Sequence, residues 1–192
     1  YHFNQMWKGS RVKRIKGSKG QVVERVHIKL PDGKVMEVAP GHKVQEIVSS
    51  LGKNGEVIAA KIDGVAVDLD RPLSRDCALD WIQPDSAEGL DILRHSTAHL
   101  MAQAVQSLFP GTQVTIGPTI EVGFYYDFKR EQSFTPEELE KIEARMRELA
   151  KLNLKVTREE LPKEAAVELF RNLGEQYKVE ILEEIPEETV SL

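Results

Sequence analysis

Two Asp-Gly pairs constrain the first half of this chain more than any other feature. Asp32-Gly33 stands between Val26, Ile28, Leu30 and Val35, Val38, and Asp63-Gly64 stands between Val57–Ile62 and Val65–Leu69. An Asp-Gly pair flanked by alternating apolar residues is strong short-range hairpin chemistry, because the tight turn needs positive φ and the strands need period two. Between the hairpins, Pro40-Gly41 breaks the pattern, and Val44, Ile47, Val48 and Leu51 recur at helical spacing before Gly52. That predicts a short helix with a glycine stop. A last strand is expected through Leu79, Trp81 and Ile82. The order ββαββ(β) over about sixty residues is that of a β-grasp, ubiquitin-like domain. His27, His42 and Cys77 stand alone in this stretch and form no catalytic pattern.

The chain's 192 residues suit one ordinary domain or two small ones, and 41% hydrophobic residues are enough for a core. Pro84–Gly89 reads as a polar linker, which sets boundaries at 22–83 and 90–192. Residues 1–21 read as a basic flexible tail: the first twenty carry six Lys or Arg and no acid. Elsewhere 20 basic residues face 31 acidic ones, so bulk charge does not advertise nucleic-acid binding. No apolar run approaches the roughly 20 residues of a spanning helix, and a membrane role is not expected. One cysteine cannot build an internal disulfide, which suits a reducing, cytoplasmic or organellar compartment.

The second half is read as α+β. Its first helix carries His95-Ser96-Thr97-Ala98-His99, two imidazoles one turn apart on one side. Helical phase puts Leu93, Thr97, Leu100, Met101, Ala104 and Leu108 in an apolar seam and both histidines nearly opposite, beside Ala98 and Ala102. The pair therefore faces solvent or a second surface built by later residues. Strands are expected at Val114–Ile116 and Val122–Phe128, with Val122, Phe124, Tyr126 and Phe128 on one face. Thr135-Pro136-Glu137-Glu138 predicts a capped helix with Leu139, Ile142, Met146 and Leu149 buried. A strand over Lys155–Leu161 and a helix from Pro162 through Val167, Leu169, Phe170 and Leu173 follow, and Tyr177–Ile185 fits either helix or strand.

A zinc protease would need Glu directly after the first histidine, and Ser96 stands there. A different zinc site needs a third and usually a fourth ligand, yet no histidine follows His99 and Cys77 lies in the other half. No metal site is therefore assigned. Tyr126 fits both a core aromatic and a hydroxyl at a pocket mouth.

Taken together, Gly89–Leu100, Gln113–Pro118, Gly123–Asp127 and Gly174–Val179 resemble the N-terminal region of bacterial or organellar threonyl-tRNA synthetases. The resemblance covers roughly residues 22–192. It implies a β-grasp TGS domain followed by a tRNA-editing domain that hydrolyses mischarged Ser-tRNA(Thr). A threonine pocket loses only about 1–3 kcal/mol on a missing methyl, roughly 10–200-fold, so a second, hydrolytic site is needed. By that resemblance His95, His99 and Lys178 are catalytic and Tyr126 lines the substrate pocket. The implied partner is the 3′ end and acceptor arm of tRNA(Thr). In the family a Cys-x-x-x-His motif follows the stretch matching Glu187–Leu192, so the editing domain is expected to be C-terminally truncated, with little activity by itself. ATP, magnesium and zinc would serve the parent's aminoacylation domain, no cofactor is expected in this segment, and the parent would be a homodimer through other domains. Two alternatives are a non-catalytic RNA- or protein-binding module and a zinc-dependent hydrolase of the alanyl-type editing class.

Overall fold

The computed structural model describes residues 13–16, 22–115 and 117–192. The rest of the basic start, residues 1–12 and 17–21, lies outside the described residues, as does Ile116. The chain divides into two compact units, with the division between Leu90 and Asp91.

The first unit contains β1 (Lys13–Lys16), β2 (Val22–Lys29), β3 (Val35–Val38), β4 (His42–Lys43), α1 (Val44–Ser50), β5 (Ala59–Ile62), β6 (Val65–Val67), β7 (Pro72–Leu73) and β8 (Cys77–Ile82). The main sheet runs β1-β2-β8-β5-β6, with β3 also paired to β2. Strands β2 and β8 are parallel, matching Ile28 to Cys77, and the other pairings in this sheet are antiparallel. A parallel pair needs a crossover, and here the chain between β2 and β8 includes α1. This is the β-grasp arrangement.

Both hairpins form where the Asp-Gly pairs predict them. Asp63 and Gly64 take φ values of 51° and 85°, the two positive values of a type I′ turn. Asp63 also locks the turn to β8. Its backbone N–H donates to the Ala78 carbonyl at 2.9 Å, its Oδ1 accepts from the Ala78 N–H at 2.8 Å, and its Oδ2 pairs with Arg75 at 2.7 Å. The core holds alternate residues of β2 (Val26, Ile28) with Val44, Ile47 and Val48 of α1, Leu73 and Leu79. Period two on the strand and spacings of three and four on the helix thus aim at one interior. His27 stands alone in sequence but not in space: its ring lies 3.3 Å from both Glu37 and Asp76.

Helix α2 (Ala87–Leu108) begins inside the stretch read as a linker. Ser86 starts it, accepting from the Gly89 N–H through Oγ at 3.0 Å. Gly89 lies against the Gln83 carbonyl so closely that an added Cβ would overlap it, which is the reason for glycine there.

The second unit continues through β9 (Gln113–Val114), β10 (Thr119–Ile120), β11 (Gly123–Phe124), β12 (Phe128–Lys129), α3 (Pro136–Lys151), β13 (Glu160–Pro162), α4 (Lys163–Asn172), α5 (Gln176–Glu184) and β14 (Thr189–Ser191). Its strands are short pairs: β10 with β11, β12 with β9, and β13 with β14. The expected single strand over Val122–Phe128 is therefore corrected. Val122 sits in the turn between β10 and β11 and is 86% exposed, and Phe124 and Phe128 belong to different pairs. The strand expected over Lys155–Leu161 contracts to β13, which pairs with β14 through Leu161 and Val190. Tyr177–Ile185 resolves as helix over all but its last residue.

Helix α3 packs on the C-terminal half of α2. Ile142 and Leu149 join Ala104 and Val105, with Leu100, Met101, Phe109, Phe128, Phe134 and Met146 around them. Leu93 lies N-terminal of this packed region and Leu108 at the helix end. Both seam residues are exposed, as are Leu139 on α3 and Leu169 and Leu173 near the end of α4. The buried arc of α2 instead turns toward Ala98, Ala102 and Val105. Arg130 closes one edge of the cluster: its guanidinium lies over Phe109 and Phe134 and grips both oxygens of Glu138 at 2.8 and 2.9 Å. Glu138 also accepts from the Thr135 N–H. These contacts hold its carboxyl down at about 2.

Thr135 caps α3 as predicted, its Oγ1 accepting from the Glu138 N–H, with Pro136 next. Thr135→Ala is expected to cost about 1 kcal/mol, read as a lowered unfolding midpoint of the second unit in urea. An unchanged midpoint would mean that the Arg130–Glu138 pair alone fixes the helix start.

Candidate functional site

His95 and His99 sit where 100° steps put them, on one stripe of α2. Their Nε2 atoms are 3.0 Å apart, and their rings meet edge to face with centroids at 4.6 Å. At that distance an Nε2–H on one ring can donate to the lone pair of the other, the direction depending on the tautomer. A second proton would set two N–H groups against each other. His99 is held below its ordinary 6.5, first by burial, then by His95 and by Lys178. It therefore stays neutral at pH 7, with a nitrogen able to accept a proton.

The influence on His99 brings Lys178 into the group. Lys178 lies in the first turn of α5, half-buried, with its ammonium 5.1 Å over the Phe170 ring. The helix dipole favours acids, not cations, at that end. Helix stability therefore gives no reason for a lysine here.

Tyr126 enters from another side. Its ring stacks on Phe128 with centroids 5.1 Å apart. Gly117 is pressed against its other edge, where an added Cβ would sit 2.1 Å from the ring. Burial raises the Tyr126 hydroxyl above its usual range, and the Glu175 carboxylate raises it further. The phenol thus stays a hydrogen-bond donor well above neutrality. The Glu175 that acts on Tyr126 stands three residues before Lys178.

Three contacts have no counterpart in the reading of the sequence. Glu175 Oε1 accepts from Gln106 Nε2 at 2.5 Å, and Asp91 Oδ1 accepts from Thr119 Oγ1 at 2.7 Å. Lys129 reaches over the Tyr177 ring at 5.8 Å. A signal for the first existed: Gln106 falls on the histidine stripe, seven residues after His99. A cavity of about 840 Å³ lies past the end of α2, lined by Phe109, Thr112, Gln113, Lys129, Arg130 and Gln132. It contains none of the four candidate residues. Among the described residues no three His, Cys, Asp or Glu stand together as a metal-binding group. No described helix is long and apolar enough to cross a membrane.

Residues 26–81 match the TGS domain family, so the β-grasp unit is a TGS domain. The match to whole proteins is broader. The chain is 48% identical over 172 residues to a threonine–tRNA ligase of Citrifermentans bemidjiense, covering 88% of this chain and 27% of that protein. It is 51% identical over 169 residues to one from Azoarcus sp. (86% and 26%) and 48% identical over 169 residues to one from Legionella pneumophila strain Corby (86% and 26%). The chain matches the N-terminal region of threonine–tRNA ligases and carries a TGS domain. It spans about a quarter of the length of these relatives.

Proposed function

We propose that the second unit supplies one wall of a hydrolytic site that removes serine from tRNA(Thr), within a parent that attaches threonine to the same tRNA using ATP. The observation that carries this reading is the contact of His95 with His99 on α2 together with the electrostatic influence of Lys178, on α5, upon His99. A neutral imidazole can orient and deprotonate a water aimed at the seryl ester. The nearby ammonium can stabilise the oxyanion that forms on the carbonyl, or hold the tRNA backbone beside it. The proton taken from water returns to the ribose oxygen as the ester bond breaks, which a hydrogen-bonded imidazole pair can serve in both directions. Tyr126, half-buried and with its hydroxyl held above its usual range, is suited to line the pocket as a donor. In this reading the unit is part of an editing domain, and the TGS unit is a binding module. No residue of this segment is assigned to ATP, magnesium or zinc, and the two histidines by themselves are half of a zinc ligand set.

The test is deacylation of Ser-tRNA(Thr) and Thr-tRNA(Thr) by a full-length threonine–tRNA ligase carrying residues 22–192 of this chain. The expected result is rapid release of serine and retention of threonine. Equal release of both, or of neither, would leave the unit a binding module.

A further inference from the structure

We propose that Gln106 and Glu175 are the positioning pair of this site: their hydrogen bond fixes the first turn of α5 against α2 in the register that puts Lys178 beside His99. The proposal rests on reading His95, His99 and Lys178 as one site. It stands on where the two residues are. Gln106 lies on the histidine stripe of α2, two turns beyond His99. Glu175 is the residue from which α5 starts, and its carbonyl accepts from the N–H groups of Lys178 and Val179 at 3.1 and 3.2 Å. Its own N–H donates to the Phe170 carbonyl at 2.9 Å, and Phe170 is the ring under the Lys178 ammonium. Holding Glu175 therefore holds both the lysine's backbone and the ring that supports its side chain.

The carboxylate does not act as a helix cap, because it makes no side-chain bond to the α5 backbone. It reaches across to α2, where Oε1 takes the Gln106 amide at 2.5 Å while Oε2 is buried with no hydrogen-bond partner. A carboxylate placed this way loses the stated bond if Gln106 is removed, and a buried acceptor left unmatched disfavours the packed arrangement. The first turn of α5 would then move away from α2 and take Lys178 with it.

The test titrates the imidazole signals of the 192-residue chain by ¹H–¹⁵N NMR, which needs no tRNA and no catalysis. Around His99 the charged or titrating neighbours are His95 and Lys178. Lys178→Met removes the ammonium and is expected to raise the His99 midpoint. Gln106→Leu is expected to reproduce most of that rise with Lys178 still present, and to add almost nothing in the Lys178→Met background. Glu175→Gln keeps an oxygen for Gln106 and is expected to leave the midpoint near that of the parent chain. If Gln106→Leu does not fold, Gln106→Asn, which retracts the amide by one methylene, serves in its place. A pair that is structural alone would lower stability without moving His99, and that result overturns the proposal. So does an equal rise from Gln106→Leu with and without Lys178, or no rise on Lys178→Met. Failure of serine release in the full-length protein, with the titrations as expected, would overturn the editing reading and leave the positioning pair intact.

Discussion

Alanine at both His95 and His99, in a full-length ligase carrying this segment, is expected to slow Ser-tRNA(Thr) deacylation by about 10²–10⁴-fold, the usual contribution of a positioned acid–base group. Aminoacylation with threonine should be unaffected, because that chemistry lies in the three quarters of the parent that this chain does not span. The two Nε2 atoms lie at hydrogen-bonding distance, 3.0 Å, so the rings are expected to act as a unit. Each single alanine variant should then cost nearly as much as the double one. The pH dependence has a definite sign. His99 is held below 6.5, so deacylation should rise with pH through that lowered midpoint and level off before an ordinary histidine would. The same shift bears on stability. An unfolded chain takes up the proton near 6.5 and the folded one only lower, so the second unit loses stability as pH falls through that window. Deacylation unchanged in the double variant would remove the histidines from the chemistry.

The second large effect concerns the TGS unit. Ile28→Ala is expected to cost about 2–5 kcal/mol, the range for truncating a fully buried aliphatic side chain. Ile28 has no exposed surface and stands on β2 between Met36 and Cys77 on the neighbouring strands, so no surrounding loop can collapse into the space. A β-grasp unit of this size has only modest stability, so the change should unfold it. Urea unfolding followed by NMR should show the TGS signals lost first while the His95 and His99 signals persist, since the two units are compact separately. Val35→Ala, on the same sheet but 60% exposed, should fall within about 0.5 kcal/mol of the parent. Simultaneous loss of both sets of signals would show that the units unfold as one.

The first unit was legible because its signals are local. Asp32-Gly33 and Asp63-Gly64 dictate turns by backbone conformation alone, and the alternation around them fixes which side chains go inside. The second unit was legible in its helices, where Thr135-Pro136 and the α2 periodicity are again local. Its strands were not. Val122 is a strand former placed in a turn, and the pairing of Leu161 with Val190 joins residues far apart in sequence. The buried side of α2 was misjudged at Leu93 and Leu108 because amphipathic phase does not say how far along a helix its neighbour extends. The histidine pair could be read from a spacing of four. Lys178 was grouped with it by family resemblance, and although Gln106 could be read onto the histidine stripe, its partner Glu175 could not be, since 69 residues separate them.

Asp91, His95, His99 and Gln106 follow one another at steps of four, four and seven along α2. Asp91 takes Thr119, His99 feels the charge of Lys178, and Gln106 takes Glu175. Each added residue turns an α-helix by about 100°. A single insertion or deletion between Asp91 and Gln106 would therefore swing one end of this row off its partners, however mild the residue introduced. Length is thus as constrained in this stretch as the residues of the row themselves. The turn at Glu121-Val122 carries no such restriction.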